Sequence, residues 1–251
     1  MILKSLTRYP KKLRMKNKII LEVGKNHLGN TNLLFKYLKN FNLNEVYGFT
    51  LQLRENKFYT GNNKILKFNN STMLKFKKIC KMNNKKFGLS IQNSENLESV
   101  DFLQPDFIKV LSYSTKNFDF CSNLRNKYNF PIYYSLGLIK KNKSISFIND
   151  FYKHVSKKHT KIIYTKIDKL LYDFSIKEIL LLSSKLKNNL AYGHHFDSNF
   201  FPLLMKIIKI NTFFLYIKHD KNMNYPDNIN AYNIKSLREF LKHLALIDKV
   251  N

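Results

Sequence analysis

The sequence predicts an α/β fold, a closed (β/α)8 TIM barrel, and three observations carry that expectation. Apolar runs of strand length alternate with helix-period segments from Ile19 onward, the alternation occurs eight times, and 251 residues is the size such a barrel needs. An open, doubly wound sheet is the alternative. It is weakened because no Gly-x-Gly-x-x-Gly phosphate loop follows the first strand.

The first run, 19–24, ends in Gly24 and leads into the polar cluster Lys25-Asn26-His27, which sits where a βα loop presents side chains to a ligand. Glu22 is anomalous inside that run. A carboxylate there costs several kcal/mol to bury unless a cation or donors meet it, so it is either paired in the core or placed at a site. Further strands are expected at 45–52, 86–91, 106–111, 131–135, 161–165, 189–194 and 212–218. Helices are expected near 31–41, 71–84, 95–103, 117–128, 143–157, 175–187, 198–209 and 234–247. Leu34, Leu38 and Phe41 make one apolar face of the first helix, and Leu237, Leu241 and Leu244 one face of the last. Ser175 followed by Glu178 reads as a capping box, and 54–70 as the longest loop. Residues 1–17 read as a basic N-terminal extension or hairpin and 18–251 as one barrel domain.

The net charge of +27 invites a nucleic-acid or membrane reading, but residue choice argues against it. Only five of the 44 basic residues are Arg, the residue suited to bidentate phosphate and base recognition. Lys, Asn, Ile, Phe and Tyr are inflated throughout, so the charge reads as coding bias on solvated faces, with no specific nucleic-acid partner. Cys80 and Cys121 are too few for a disulfide framework, and a reducing cytoplasm is expected. No run reaches the roughly 18 apolar residues a membrane span needs, and the basic first 18 residues lack the apolar core of a secretory signal.

In a parallel barrel the C-terminal strand ends converge on one mouth. The polar residues there are Glu22 and Asn26-His27 after the first strand, Gln52 on the second, Lys109 and Ser112 on the fourth, Ser135 on the fifth, His194-His195 after the seventh and Lys218-His219 after the eighth. Strands seven, eight and one are neighbours about 4.8 Å apart, so His195, His219 and Glu22 are expected to meet. Two imidazoles and a carboxylate suit a divalent metal, Mn²⁺ or Mg²⁺ with Zn²⁺ as a further option, that would polarise a carbonyl.

The stretch Ile20-Leu-Glu-Val-Gly-Lys-Asn-His-Leu-Gly-Asn30 resembles the opening signature of the sialic acid synthase family, which condenses phosphoenolpyruvate with an N-acetylated hexosamine. The similarity continues through Leu97 to Leu103, Phe107 to Ser112, Pro131 to Gly137, Ile217-Lys-His219 and Pro226-Asp227, covering roughly residues 18 to 248. The resemblance implies that His195 and His219 are metal ligands and that Glu22 stands beside the metal and the attacking water. It implies that Lys109, Ser112 and Ser135 hold phosphoenolpyruvate, that Asn26, Gln52 and Asp227 belong to the substrate site, and that Lys218 keeps a catalytic Lys-His pair. Departures are Thr50 where the family has a second phosphoenolpyruvate-binding Lys, Ile91-Gln92-Asn93 for a Thr-Pro-Phe, Ser114 and Ile217 for carboxylates, and Thr165-Lys-Ile-Asp-Lys169 where an Asn and a Tyr are expected, with Lys166 expected to restore some charge. The family's C-terminal antifreeze-like domain, which completes the sugar site of a homodimer partner, has no counterpart here. The expected function is a divergent phosphoenolpyruvate-dependent synthase of a sialic-type sugar acid. The alternative is a catalytically degenerate barrel acting as a sugar-binding or regulatory module.

Overall fold

Runs of Ile, Val, Leu, Phe and Tyr bounded by polar turns form strands buried on both faces, as a parallel sheet covered by helices requires. In the computed structural model, which describes residues 17–167, 174–219 and 223–250, the order is β1 (Lys18–Glu22), α1 (Thr31–Asn40), β2 (Val46–Gln52), α2 (Asn70–Met82), β3 (Lys86–Ile91), α3 (Leu97–Leu103), β4 (Phe107–Val110) and α4 (Phe118–Lys127). There follow β5 (Ile132–Ser135), α5 (Ser144–His154), β6 (Thr160–Tyr164), α6 (Ile176–Leu186), β7 (Leu190–Gly193), α7 (Phe200–Ile207), β8 (Thr212–Tyr216) and α8 (Ile234–Val250). All neighbours pair in parallel, and β8 pairs back onto β1, so the barrel is closed and the open-sheet alternative falls.

Two cores result. The larger packs the outward strand faces against the helices, with Leu34 and Leu38 of α1 and Leu237, Leu241 and Leu244 of α8 placed as their helical spacing predicts. The smaller fills the barrel itself with Ile20, Phe107, Tyr133, Ile163, Ala191 and Phe214. Phe107, Tyr133 and Phe214 meet edge to face, with ring centroids 5.0 to 6.4 Å apart. This aromatic plug makes the interior solid below the mouth.

Three local expectations are revised. The segment 54–70 is not plain loop but carries two 3₁₀ turns, Asn56–Phe58 and Gly61–Leu66, and α2 begins at its last residue. β8 stops at Tyr216, after which Ile217 forms an isolated parallel bridge to Tyr232. The capping box closes in one direction only: Ser175 caps the Glu178 amide at 3.2 Å, whereas the Glu178 carboxylate turns to the Ser144 amide at 2.9 Å and ties α6 to α5. Of the expected N-terminal extension, residues 1–16 lie outside the described residues, and β1 starts at Lys18.

Candidate active site

Side chains in a strand alternate, so the residue two positions beyond each member of the plug also faces the barrel interior, one layer nearer the mouth. From Ile20, Phe107, Tyr133, Ile163, Ala191 and Phe214 that step gives Glu22, Lys109, Ser135, Thr165, Gly193 and Tyr216. Thr50 and Ser90 join by register, opposite Glu22 and Lys109 respectively. An apolar layer therefore underlies a polar one.

At the centre of the polar layer, Lys109 Nζ lies 2.6 Å from both Glu22 oxygens, across the barrel from β4 to β1. Both residues are only 3% exposed. The ammonium also lies over the rings of Phe214 and Tyr216, at 5.3 and 5.8 Å from their centroids. The anomaly of Glu22 is thereby explained: the buried carboxylate has its cation.

Around this pair the hydroxyls are arranged in twos. Ser112 Oγ and Ser135 Oγ are 2.8 Å apart, and Ser112 Oγ accepts the Gly137 amide at 3.0 Å. A Cβ on Gly137 would lie 2.5 Å from Ser112 Oγ, so only glycine lets this backbone amide approach the serine pair. On the other side Thr50 Oγ1 and Ser90 Oγ share a 2.7 Å hydrogen bond. Thr50 is thus a neutral partner of Ser90 where the resemblance implied a cation. Lys166, also buried, donates from its amine to the Ile139 carbonyl at 2.7 Å.

Tyr216, which sequence reasoning passed over, roofs the pair. A Cβ at Gly24 would come within 2.6 Å of the Tyr216 ring and 3.0 Å of an Asp227 oxygen, and Gly24 has φ +55°, so the loop after β1 can fold over the ring only as glycine. Burial, then the charges of Glu22 and Asp227, push the phenol well above its usual range, against a smaller opposing pull from Arg54. Tyr216 therefore stays a proton donor. The signal that finds it is the two-residue step from Phe214, and the same step from Ile163 finds Thr165.

Asn26 is fully buried and acts as a clamp. Its Nδ2 donates to the Ile217 carbonyl at 2.8 Å, its Oδ1 accepts the Asp227 amide at 3.1 Å, and its own carbonyl accepts the Tyr37 hydroxyl. It fixes the β1 loop to the segment carrying Asp227. Gln52 ends β2, half-buried, in register with Ser90 of β3. Lys218 turns aside, its amine donating to the carbonyl and Oδ1 of Asn228 at 2.6 and 2.7 Å.

The two histidines expected to share a metal are directed differently. The His195 ring meets Tyr216 edge-on at 5.3 Å, whereas the His219 Nε2 is 2.9 Å from Asn40 Nδ2 at the end of α1. Among the described residues no three His, Cys, Asp or Glu side chains gather as a metal-holding group. With both Glu22 oxygens on Lys109 and Ile217 apolar and buried, the donors as arranged do not fit a three-ligand divalent site. His27 and His194 are pushed down to about 4 by burial and are neutral at pH 7.

No family model matches the chain, and no curated protein matches it. Its fold does match solved structures. An N-acetylneuraminic acid (sialic acid) synthetase from Leptospira borgpetersenii superposes with a TM-score of 0.80 at 18% identity, over 93% of this chain and 84% of that one. A putative spore coat polysaccharide biosynthesis protein E from Chromobacterium violaceum gives 0.78 at 15%, over 92% and 74%. A truncated 3-deoxy-D-arabino-heptulosonate 7-phosphate synthase from Thermotoga maritima gives 0.71 at 8%, over 93% and 87%. At these identities the likeness is one of fold. No described helix is long and apolar enough to cross a membrane.

Proposed function

We propose that the chain is a divergent phosphoenolpyruvate-dependent synthase that joins the three-carbon unit to the aldehyde of an N-acetylated amino sugar, giving a sialic-type acid. The observation that carries this reading is the buried polar layer itself. A lysine, two paired serine hydroxyls and a backbone amide stand together at the C-terminal mouth of a barrel, a donor set suited to a phosphorylated carboxylate. The fold likeness to a sialic acid synthetase supports the same substrate class.

In this reading Lys109 is neutralised by Glu22 until an anion draws it away. The freed Glu22 is then a base beside the reacting carbons. C3 of phosphoenolpyruvate attacks the aldehyde carbon, whose oxygen takes up a proton and becomes a hydroxyl. Water adds at C2 as Glu22 accepts its proton, and the C2–O bond to phosphate breaks to leave a 2-keto acid and inorganic phosphate. Tyr216 and Asp227 close over the site, with Gln52 and Asn26 on the sugar side. Because the donors do not fit a metal as arranged, none of these steps is assigned to one.

The competing reading, a sugar-binding or regulatory barrel without turnover, is favoured by the Thr50–Ser90 bond in place of a second cation. Following phosphate release from phosphoenolpyruvate across a panel of N-acetylated hexosamines, with and without Mn²⁺, separates the two. Sugar-dependent release that is lost in Glu22→Gln is expected of the synthase. Phosphoenolpyruvate or sugar binding with no release under any condition would replace it by the binding module.

A further inference from the structure

We infer that Tyr216 is the catalytic acid of the condensation, its hydroxyl donating to the aldehyde oxygen in the role a metal ion would otherwise fill. The inference rests on the synthase reading and deepens it, because that reading leaves the proton on the aldehyde oxygen without a source.

Attack of C3 turns the carbonyl oxygen into an alkoxide, which is costly in a buried layer unless a donor or a cation meets it. The His195, His219 and Glu22 set does not fit a divalent ion as arranged, since His219 lies against Asn40 and both Glu22 oxygens are on Lys109. Most other donors of the mouth are engaged. Ser112 pairs with Ser135 and Thr50 with Ser90, while the amines of Lys166 and Lys218 donate to the carbonyls of Ile139 and Asn228. Thr165 has a buried hydroxyl with no partner, but it stands on β6 beside the serine strand β5, and an aliphatic alcohol is a far weaker acid than a phenol.

Tyr216 is placed for the role by its strand. It ends β8, in the inward layer two residues beyond Phe214, and pairs in register with Glu22 on β1, an adjacent strand about 4.8 Å away. Its ring is held from several sides: Lys109 Nζ lies 5.8 Å from the centroid, His195 meets it edge-on at 5.3 Å, and the glycine at position 24 lets the β1 loop close against it beside Asp227. The residue is only 7% exposed, yet its hydroxyl makes no hydrogen bond among the described residues. A fixed ring thus carries an uncommitted donor next to the base.

The protons balance with acid and base one strand apart. As the C–C bond forms, the Tyr216 O–H proton passes to the alkoxide, leaving a phenolate and a new C–OH. Water adds at C2 and gives its proton to Glu22, which returns it to the phenolate. The C2–O bond to phosphate then breaks, the remaining hydroxyl proton at C2 leaves with the phosphate, and both side chains are restored. Between the two transfers the Lys109 ammonium over the ring stabilises the phenolate.

Tyr216→Phe keeps the ring and removes only the hydroxyl. Wild type and variant are compared by calorimetric titration with phosphoenolpyruvate, by urea unfolding, and by phosphate release at saturating phosphoenolpyruvate and N-acetylated hexosamine, with EDTA or with Mn²⁺. Release is expected to slow about a hundredfold or more in Tyr216→Phe, with phosphoenolpyruvate affinity within about twofold of wild type. The urea midpoint should not move, and EDTA should leave wild-type release unchanged. Release from Tyr216→Phe at the wild-type rate overturns the inference while the synthase reading stands. Wild-type release that EDTA abolishes and Mn²⁺ restores does the same, as does a loss of phosphoenolpyruvate affinity that accounts for the whole fall in rate. Absence of sugar-dependent release from wild type under every condition overturns the synthase reading, and this inference with it.

Discussion

Two layers of one barrel, built on the same strands and two residues apart, do opposite things. The lower layer, Ile20, Phe107, Tyr133, Ile163, Ala191 and Phe214, is apolar and fills the interior. The upper layer places Glu22, Lys109, Ser135, Thr165 and Tyr216 at the next inward positions, where burying polar groups is costly unless they pair. The difference teaches where stability gives way to function. A plug of this kind needs only volume and complementarity, whereas the layer above spends stability on a charge pair that a hydrophobic substitute would often match or exceed.

The largest expected effect comes from breaking that pair on one side. Lys109→Met leaves Glu22 buried without its cation and should destabilise the fold by about 3 to 5 kcal/mol in urea unfolding. The double variant Lys109→Met with Glu22→Gln should recover most of the loss, because no buried charge remains. If the single variant is as stable as wild type, the two groups do not face one another as described.

Acidification is the next. His27 and His194 have folded values near 4 against about 6.5 unfolded. The unfolded chain binds more protons between those values, so stability is fully present above pH 6.5 and falls as pH drops towards 4. Each histidine accounts for at most about 3 kcal/mol. Urea midpoints measured across that window should show the decline, and His194→Gln should remove part of its slope.

Restoring charge to the upper layer is a smaller perturbation. Thr50→Lys places a second ammonium beside Ser90 and opposite Glu22, and one charge-assisted contact of about 1.5 to 3 kcal/mol should tighten phosphoenolpyruvate binding ten- to a hundredfold. Equilibrium binding of wild type and variant reads this directly. The smallest effect is expected for metal. With His219 held to Asn40 and His195 against Tyr216, Mn²⁺ affinity should be the same in wild type and in the His195→Ala, His219→Ala double variant. A loss of affinity in that variant would show that the two imidazoles turn together in solution.

The sequence made the barrel legible because burial on both faces and helical spacing are strong patterns, and Glu22 was legible because a carboxylate in an apolar run has few explanations. Lys109, Ser112 and Ser135 were found at strand ends for the same reason. What stayed hidden depended on long-range geometry. Nothing local shows that His219 meets Asn40 while His195 meets Tyr216, that Lys218 turns to Asn228 or that Asn26 clamps two loops. Tyr216 was hidden because it continues an aromatic strand, and only the two-residue step from Phe214 separates mouth from plug.

The central claim is that Lys109 is an anion-binding residue held in reserve by Glu22. Calorimetric titration of phosphoenolpyruvate into wild type, Glu22→Gln and the Glu22→Gln, Lys109→Met double variant tests it most directly. Removing the competing carboxylate should tighten binding in Glu22→Gln while abolishing sugar-dependent phosphate release, and removing the ammonium as well should lose binding. Equal affinity in all three proteins would contradict the account, because the buried pair would then be a structural strut and the anion, if bound at all, would sit elsewhere.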